Sequence, residues 1–273
     1  MVENKYAQMI LSTTQATRAG YFTSQGITLK DFLKALIDRF KKTKGYPVKT
    51  KAPAQPPFPE PWISNSDPKY NKNPEKITFN RFFEHAAAFL HQNKLLDDII
   101  MTYGVSSAMY VATNLYGMSQ NTFISSAAWQ CIGFETGAAS GAQLGSGKRA
   151  WTIAGDGGFM MIAQSLSTLA KYELDAVIFV MSNGVYAIEQ VFVDMNAFKA
   201  GKKNKFDAFD ILPEWNYGAL AKGFGADHHK ATTVTELNVV FKKLKKRSKT
   251  PTLVEVVLPE KDLAQQMKRI GNE

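Results

Sequence analysis

The chain has 273 residues, of which 45% are hydrophobic and 21% are charged, so it is long enough for one large globular domain and is not an intrinsically disordered chain. A single cysteine, Cys131, excludes an internal disulfide and a zinc site built from cysteines, and it fits a reducing compartment. No apolar run reaches the roughly 18 residues of a membrane span, and residues 1–15 lack the pattern of a signal peptide. We therefore expect a cytoplasmic protein without a membrane partner.

The net charge of +9 raises the alternative of a nucleic-acid-binding protein. Basic residues cluster at 41–44, 201–205 and 242–247, and the last cluster lies on a predicted helix whose other face is apolar. This arrangement is typical of a solvated helix face. No aromatic or zinc-ligand pattern accompanies the clusters, so we expect no nucleic-acid partner.

Proline content divides the sequence into three parts. Residues 46–77 form a predicted linker or surface strap, because the stretch 46–76 contains eight of the eleven prolines and proline cannot continue a helix or enter a central strand. Residues 1–45 predict one short strand and one amphipathic helix, which is too little for a domain. Residues 78–273 therefore form the main domain.

Strands and helices alternate along residues 78–273. The pattern predicts helices at 79–91, 132–144, 161–172, near Ala219 and at 233–245, and strands at 98–103, 149–154, 176–181 and 252–258. Such alternation implies an α/β fold with a mostly parallel sheet that is flanked by helices on both faces. Ligands of these folds bind beyond the carboxyl ends of the strands.

Two polar residues stand at such strand ends. Asp156 follows the strand at 149–154 and Asn183 follows the strand at 176–181. Gly157 and Gly158 allow backbone N–H groups to approach an anion, and the helix after them points its N-terminus at the same place. A carboxylate, an amide carbonyl, a backbone carbonyl and two phosphate oxygens suit the octahedral shell of Mg²⁺. A Gly-Asp-Gly turn is common by itself. Only the combination of Asp156 with Asn183 after the next strand indicates a metal ion that holds a diphosphate.

The stretch from Gly155 to Gly184, together with VYAIEQ after it, resembles the thiamine diphosphate signature of the pyruvate and indolepyruvate decarboxylase family. The resemblance implies the thiamine diphosphate-binding fold, with Mg²⁺ held by Asp156, Asn183 and the backbone carbonyl of Val185. A valine at 185 replaces the family's usual glycine, which a carbonyl ligand tolerates. Glu189 matches the acid that handles substrate and protons above the thiazolium. A surface acid on a helix is the alternative interpretation of Glu189.

Two segments upstream extend the resemblance. In SSAAWQCIGFETGAASGA, Ile132 matches the bulky residue that bends the cofactor, with an ordinary core isoleucine as the alternative, and Gln130 stands where the family has a glycine. In TYGVSSAMY, Val105 replaces a threonine that touches the diphosphate, and Gly158 replaces a serine farther along. The resemblance assigns these residues to the cofactor: Gly104, Val105, Ser106, Gln130, Ile132, Gly155, Asp156, Gly157, Gly158, Asn183, Val185, Tyr186, Ala187 and Ile188.

Members of this family are about twice as long as this chain, which resembles the end of their middle domain (residues 1–45), the connector and the diphosphate-binding domain. Two functions therefore compete. In the first, the chain is one subunit of a split lyase that decarboxylates a 2-oxo acid, possibly with carboligation, and a second polypeptide supplies the pyrimidine-binding domain in a hetero-oligomer, a dimer of heterodimers. In the second, the chain is a non-catalytic binding or scaffold module derived from the family.

Overall fold

The computed structural model describes residues 10–43, 73–112 and 118–268. The chain divides into two compact units, Met1–Gln55 and Pro56–Glu273. Most of the predicted linker lies outside the described residues, so its bounds stay a prediction. No helix in the described ranges combines the length and the apolar character that crossing a membrane requires.

The first unit contains a small antiparallel sheet and one helix. Its strands β1 (Ile10–Ser12), β2 (Ala16–Ala19) and β3 (Phe22–Gln25) pair in chain order, and helix α1 covers Leu29–Lys42. Thr28 caps α1, because its side chain accepts the N–H of Asp31 while the Asp31 carboxylate accepts the N–H of Thr28. The helix is as predicted. Three strands replace the single predicted strand, since segments of three or four residues are too short to show an alternating pattern.

The second unit is built on a six-stranded sheet. The strands are β4 (Ile99–Tyr103), β5 (Phe123–Ser125), β6 (Arg149–Gly155), β7 (Val177–Ser182), β8 (Asp227–Ala231) and β9 (Thr252–Val257). They lie in the order β5-β4-β6-β7-β9-β8, and every neighbouring pair is parallel. The predicted α/β class with a parallel sheet is confirmed.

Helices connect these strands. They are α2 (Phe79–Gln92), α3 (Ser107–Ala112), α4 (Phe134–Ser146), α5 (Asp156–Met161), α6 (Ser165–Lys171), α7 (Ala187–Asp194), α8 (Tyr217–Gly223), α9 (Val234–Leu244) and α10 (Gln265–Lys268), and a 3₁₀ turn (Met195–Phe198) follows α7. The helix predicted at 161–172 is present in part, since α6 lies within that range, but the structure has two helices there instead of one. Helix α5 already begins at Asp156, although two glycines follow, because burial against the sheet overrides their low helix propensity.

The central strands β6 and β7 are buried on both faces, and their side chains alternate between two cores. On one face Phe179 contacts Trp151 and Phe241 of α9, with ring centroids 5.2 and 5.9 Å apart. On the other face Ile178 packs with Leu166 of α6. Each such side chain stabilises the fold by about 2 kcal/mol on burial, so the ends of β6 and β7 are rigidly placed.

A charged network closes the amino end of the sheet. Asp175, just before β7, accepts hydrogen bonds from Gln143 at 2.8 Å and from Arg247 at 2.6 and 3.0 Å. Its carboxylate also lies 3.4 Å from Nε of Arg149, whose side chain is 4% exposed and donates to the carbonyl of Leu244. The network ties β6, β7 and the end of α9 together at the edge opposite the carboxyl ends.

We predict that Asp175→Ala lowers the free energy of unfolding by about 3 kcal/mol, because Arg149 is left as a buried charge without its carboxylate. Urea denaturation followed by circular dichroism measures the change. Glu173→Ala is the matched control, since Glu173 pairs with Lys249 where both side chains are mostly exposed. Equal stability of the two variants would contradict this role of Asp175.

Candidate cofactor site

A cavity lies beyond the carboxyl ends of β4, β6 and β7. Every residue that the sequence assigns to the cofactor or to catalysis lines it, namely Gly104, Val105, Ser106, Gln130, Ile132, Gly155, Asp156, Gly157, Gly158, Asn183, Val185, Tyr186, Ala187, Ile188 and Glu189. The fold thus brings together four segments that are far apart in sequence. The individual roles of these residues stay predictions.

Asp156 is one of two buried acids that line the cavity and is only 3% exposed. Its Oδ1 accepts the N–H of Gly157 at 2.9 Å, and its Oδ2 accepts the N–H groups of Asn183 at 3.0 Å and Gly184 at 2.6 Å. Burial raises the pKa of this carboxyl, and the three N–H groups partly offset that effect. The carboxylate therefore holds the loop after β7 against the start of α5.

The loop after β7 is anchored from its other side as well. The N–H of Tyr186 donates to the carbonyl of Asp210 at 2.8 Å, and the N–H of Leu212 donates to the carbonyl of Gly184 at 2.9 Å. Val185 is buried and pairs with Ile211 in an isolated bridge. These contacts fix the backbone of Val185, whose carbonyl the sequence predicts to be a metal ligand.

The residues present fit a Mg²⁺ ion that is shared with a diphosphate. The described residues contain no group of three or more His, Cys, Asp or Glu side chains that could hold a metal by themselves. A single fixed carboxylate with an adjacent buried asparagine is instead the kind of site where Mg²⁺ takes its remaining ligands from phosphate and water. The ring of Tyr186 packs directly on Gly157, where a Cβ would overlap it.

Gln130 adopts a backbone conformation that glycine adopts more easily. Its φ is +49°, in the left-handed region, which costs a non-glycine residue about 1 kcal/mol. The position is the one where the resemblance expects glycine, and this backbone conformation is one that glycine adopts without strain. Ile132 nearby is 40% exposed on the cavity wall, which does not fit the alternative of a core isoleucine.

Glu189 lies in the first turn of α7 with its side chain exposed at the cavity. Gln190, next to it, is fully buried and binds Asp207 through both its amide oxygen, at 2.7 Å, and its amide nitrogen, at 3.0 Å. Asp210 of the same loop is 2% exposed, and its pKa is raised by burial first and then by the charge of Glu189. A second carboxyl group therefore lies near Glu189.

Sequence reasoning missed four residues that line the cavity: Phe79, Ser107, Glu135 and Met181. Glu135 has a buried carboxyl group at the start of α4. A glutamate within a helix of glycine and alanine was the available signal, since an acid in such an apolar segment is rarely buried without a reason.

We predict that Gly157→Ala lowers the free energy of unfolding by about 1–3 kcal/mol, because the new Cβ would overlap Cε1 of Tyr186 and lie 2.8 Å from its Cδ1. Gly141→Ala is the control, since a Cβ at Gly141 in α4 meets no atom within 4 Å and alanine favours a helix. Thermal melts of both variants test the difference, and a Gly157→Ala variant as stable as the control would contradict the close approach.

A family model for thiamine pyrophosphate enzymes, described as their C-terminal TPP binding domain, matches residues 104–256, more than half of the chain. Pyruvate decarboxylase isozyme 3 of Saccharomyces cerevisiae is 25% identical over 76% of this chain and 33% of its own length. Pyruvate decarboxylase of Candida glabrata is 27% identical over 88% of this chain and 40% of its own length. The chain therefore spans about a third to two fifths of these relatives.

A third relative has a different description. The thiamine metabolism regulatory protein THI3 of Saccharomyces cerevisiae is 29% identical over 62% of this chain and 28% of its own length. Proteins similar to this chain thus include one that is described as a regulator.

Among solved structures, thiamine diphosphate-dependent 4-hydroxybenzoylformate decarboxylase of Rhodococcus jostii RHA1 superimposes with a TM-score of 0.54 at 24% identity, over 64% of this chain and 32% of that chain. At this identity the likeness shows the fold. The family match identifies thiamine diphosphate as the cofactor, and Mg²⁺ is the ion that is standard for the family. The chain belongs to the thiamine pyrophosphate enzymes, whose C-terminal TPP binding domain it contains.

Proposed function

We propose that this chain binds the diphosphate and Mg²⁺ end of thiamine diphosphate as one subunit of a split enzyme that decarboxylates a 2-oxo acid. The observation that carries this proposal is the buried carboxylate of Asp156, which accepts the N–H groups of Asn183 and Gly184 in a cavity that Glu189 also lines. It unites the predicted metal ligands and the predicted catalytic acid in one place.

In this proposal Asp156, the side chain of Asn183 and the carbonyl of Val185 hold Mg²⁺. Gly155, where a Cβ would meet no atom within 4 Å, and the cavity-lining turn after β4 leave space for the diphosphate against backbone N–H groups. Asp156 and Asn183 are far apart in sequence. They lie close together because β6 and β7 are parallel neighbours, which places the carboxyl ends of both strands side by side.

Thiamine diphosphate, when bound, supplies a nucleophilic carbon for the carbonyl of a 2-oxo acid and an electron sink for the loss of CO₂. The side chain of Ile132, on the cavity wall, would contact and support the cofactor when it is bound. The carboxyl group of Glu189 accepts and returns a proton at the substrate side, where its exposure leaves it free to reach a reacting group.

The surroundings of the cavity support a partner chain that carries the pyrimidine-binding domain. Large apolar side chains are exposed on the segments that line the cavity or contact those segments: Trp129, Phe134, Met161, Phe192, Phe209 and Ile211. Trp129 is 86% exposed although it directly precedes Gln130 on the cavity wall. Apolar residues concentrated around a functional opening are typical of an interface. We propose a dimer of heterodimers that encloses the cofactor.

A non-catalytic binding module is the second candidate, and two observations favour it. The cavity has valine at 105 and glycine at 158, where hydroxyl groups for the diphosphate are expected. One relative is described as a thiamine metabolism regulatory protein. In such a module the cofactor would be bound as a signal, and Glu189 would have no role in proton transfer.

We predict that a native mass spectrum of the protein, purified from its own cells with Mg²⁺ and thiamine diphosphate, contains a second chain and one cofactor for each copy of this chain. Asp156→Asn is expected to lose the cofactor, because an amide does not replace a charged Mg²⁺ ligand. Gly141→Ala is the folded control that retains it.

Three results of this experiment would argue against the proposal. A homo-oligomer that retains the cofactor would support the binding module instead of the split enzyme. Cofactor retention by Asp156→Asn would place the metal elsewhere. Absence of the cofactor from the protein under these conditions would contradict the proposed function as a whole.

We also predict that Glu189→Gln lowers the turnover of a 2-oxo acid by the assembled enzyme at least a hundredfold while the affinity for thiamine diphosphate changes less than threefold, because a neutral amide cannot transfer a proton. Release of CO₂ and quenching of tryptophan fluorescence measure the two quantities. Glu173→Gln is the control at the opposite end of the sheet. Unchanged turnover in Glu189→Gln would leave Glu189 without a catalytic role.

A further inference from the structure

Glu135 has a buried carboxyl group at the cavity, and neither the proposed metal site nor the proposed proton transfer involves it. Glu135 lies in the first turn of α4, is 1% exposed and lines the same cavity as Asp156. Its Oε2 is buried and has no hydrogen-bond partner among the described residues. Leaving such a group unpaired costs about 1–3 kcal/mol, so a ligand that pairs with it gains that energy.

Two glycines make room for this carboxyl group. A Cβ at Gly158 would lie 2.6 Å from Oε1 of Glu135, and a Cβ at Gly104 would lie 3.4 Å from the same oxygen. Glu135 therefore occupies the space that a serine side chain at 158 would take, where the sequence expects a hydroxyl group for the diphosphate. Val105, the other position without its expected hydroxyl, directly follows Gly104.

The charge balance of the cavity indicates which form of Glu135 suits a diphosphate. None of the described residues that line the cavity is a lysine, arginine or histidine. Burial raises the pKa of Glu135 to about 7, although the backbone N–H groups of Glu135 and Gly133 oppose the shift. A neutral carboxyl donates a hydrogen bond to a phosphate oxygen, whereas a carboxylate can only accept and repels the anion.

The elements packed against α4 contain few groups that could change this balance. In the described residues, β4, β6, α5 and α6 contribute Tyr103, Arg149, Asp156 and Lys171, and β5 contributes no titratable group. Of these, only Asp156 lines the cavity, so burial is the main cause of the raised pKa of Glu135.

We propose that Glu135 is a further binding residue for the diphosphate end of the cofactor, to which its neutral carboxyl group donates a hydrogen bond through Oε2. The inference rests on the proposed function, since it needs the diphosphate in this cavity. Glu135 thus takes the part of the hydroxyl groups that positions 105 and 158 lack, and Gly158 is the residue that makes room for it.

Calorimetric titration of the full chain with Mg²⁺ and inorganic pyrophosphate at pH 6 and pH 8 tests the proposal without a partner chain. Glu135→Gln retains a neutral donor, so we expect its affinity at pH 6 to be within about twofold of the original protein. Glu135→Leu removes the donor, and we expect about tenfold weaker binding at pH 6. Thermal melts without ligand verify that each variant folds.

The pH dependence is the second readout. The ratio of the original protein's affinity to that of Glu135→Gln cancels the ionisation of pyrophosphate itself, which is the same in both titrations. We expect this ratio to fall about tenfold from pH 6 to pH 8, because the carboxyl group loses its proton in that interval. Gly158→Ser should displace the carboxyl group and remove the pH dependence, and the control Gly141→Ala should retain it.

The outcomes separate this inference from the proposed function. If Glu135→Gln binds pyrophosphate more weakly than the original protein at both pH values, Glu135 acts as an anion and the inference is wrong. The same holds if the ratio of affinities does not change with pH while Asp156→Asn still abolishes binding. If the original protein does not bind pyrophosphate, or Asp156→Asn binds it equally well, the proposed function fails and the inference with it.

Discussion

The carboxylate of Asp156 and the three backbone N–H groups that donate to it set the geometry of the whole site. Gly157 donates to one oxygen, and Asn183 and Gly184 donate to the other. The strands β6 and β7 before them are buried and parallel, so neither end can move without disturbing both cores. The start of α5 and the loop after β7 thus hold one position relative to each other, and the remaining cavity residues are arranged around them.

The residues that line the cavity limit the kind of anion that it can bind. Its described walls offer backbone N–H groups, one fixed carboxylate and no cationic side chain. A dianionic ligand is compatible with such walls only when a metal ion accompanies it and when hydrogen-bond donors replace positive charge. In the function proposed above, a neutral carboxyl group of Glu135 and the metal ligands around Asp156 would together balance the charge of the diphosphate. In the same proposal, the exposed apolar residues near the cavity, such as Trp129, would be covered by the partner chain.

Much of this architecture could be predicted from the sequence, and the failures have physical causes. Apolar segments such as β6, β7 and β9 can be recognised as buried strands from the sequence. Because neighbouring strands in a parallel sheet end at the same edge, Asp156 and Asn183 are then expected to lie close together. Strands β5 and β8 are short or polar, so no periodicity reveals them. The burial of Glu135 depends on packing between α4 and Gly158, which are remote in sequence. Local propensity also misplaced the start of α5, because glycines after Asp156 suggest a turn until tertiary burial is considered.

Diffraction from crystals grown with Mn²⁺ and thiamine diphosphate tests the central claim most directly, since manganese replaces magnesium and scatters anomalously. The account predicts one anomalous peak about 2.2 Å from oxygen atoms of Asp156, of the Asn183 side chain and of the Val185 carbonyl, with the diphosphate bound to the same ion. A peak at other residues, or a diphosphate bound in this cavity without an ion at Asp156, would contradict it.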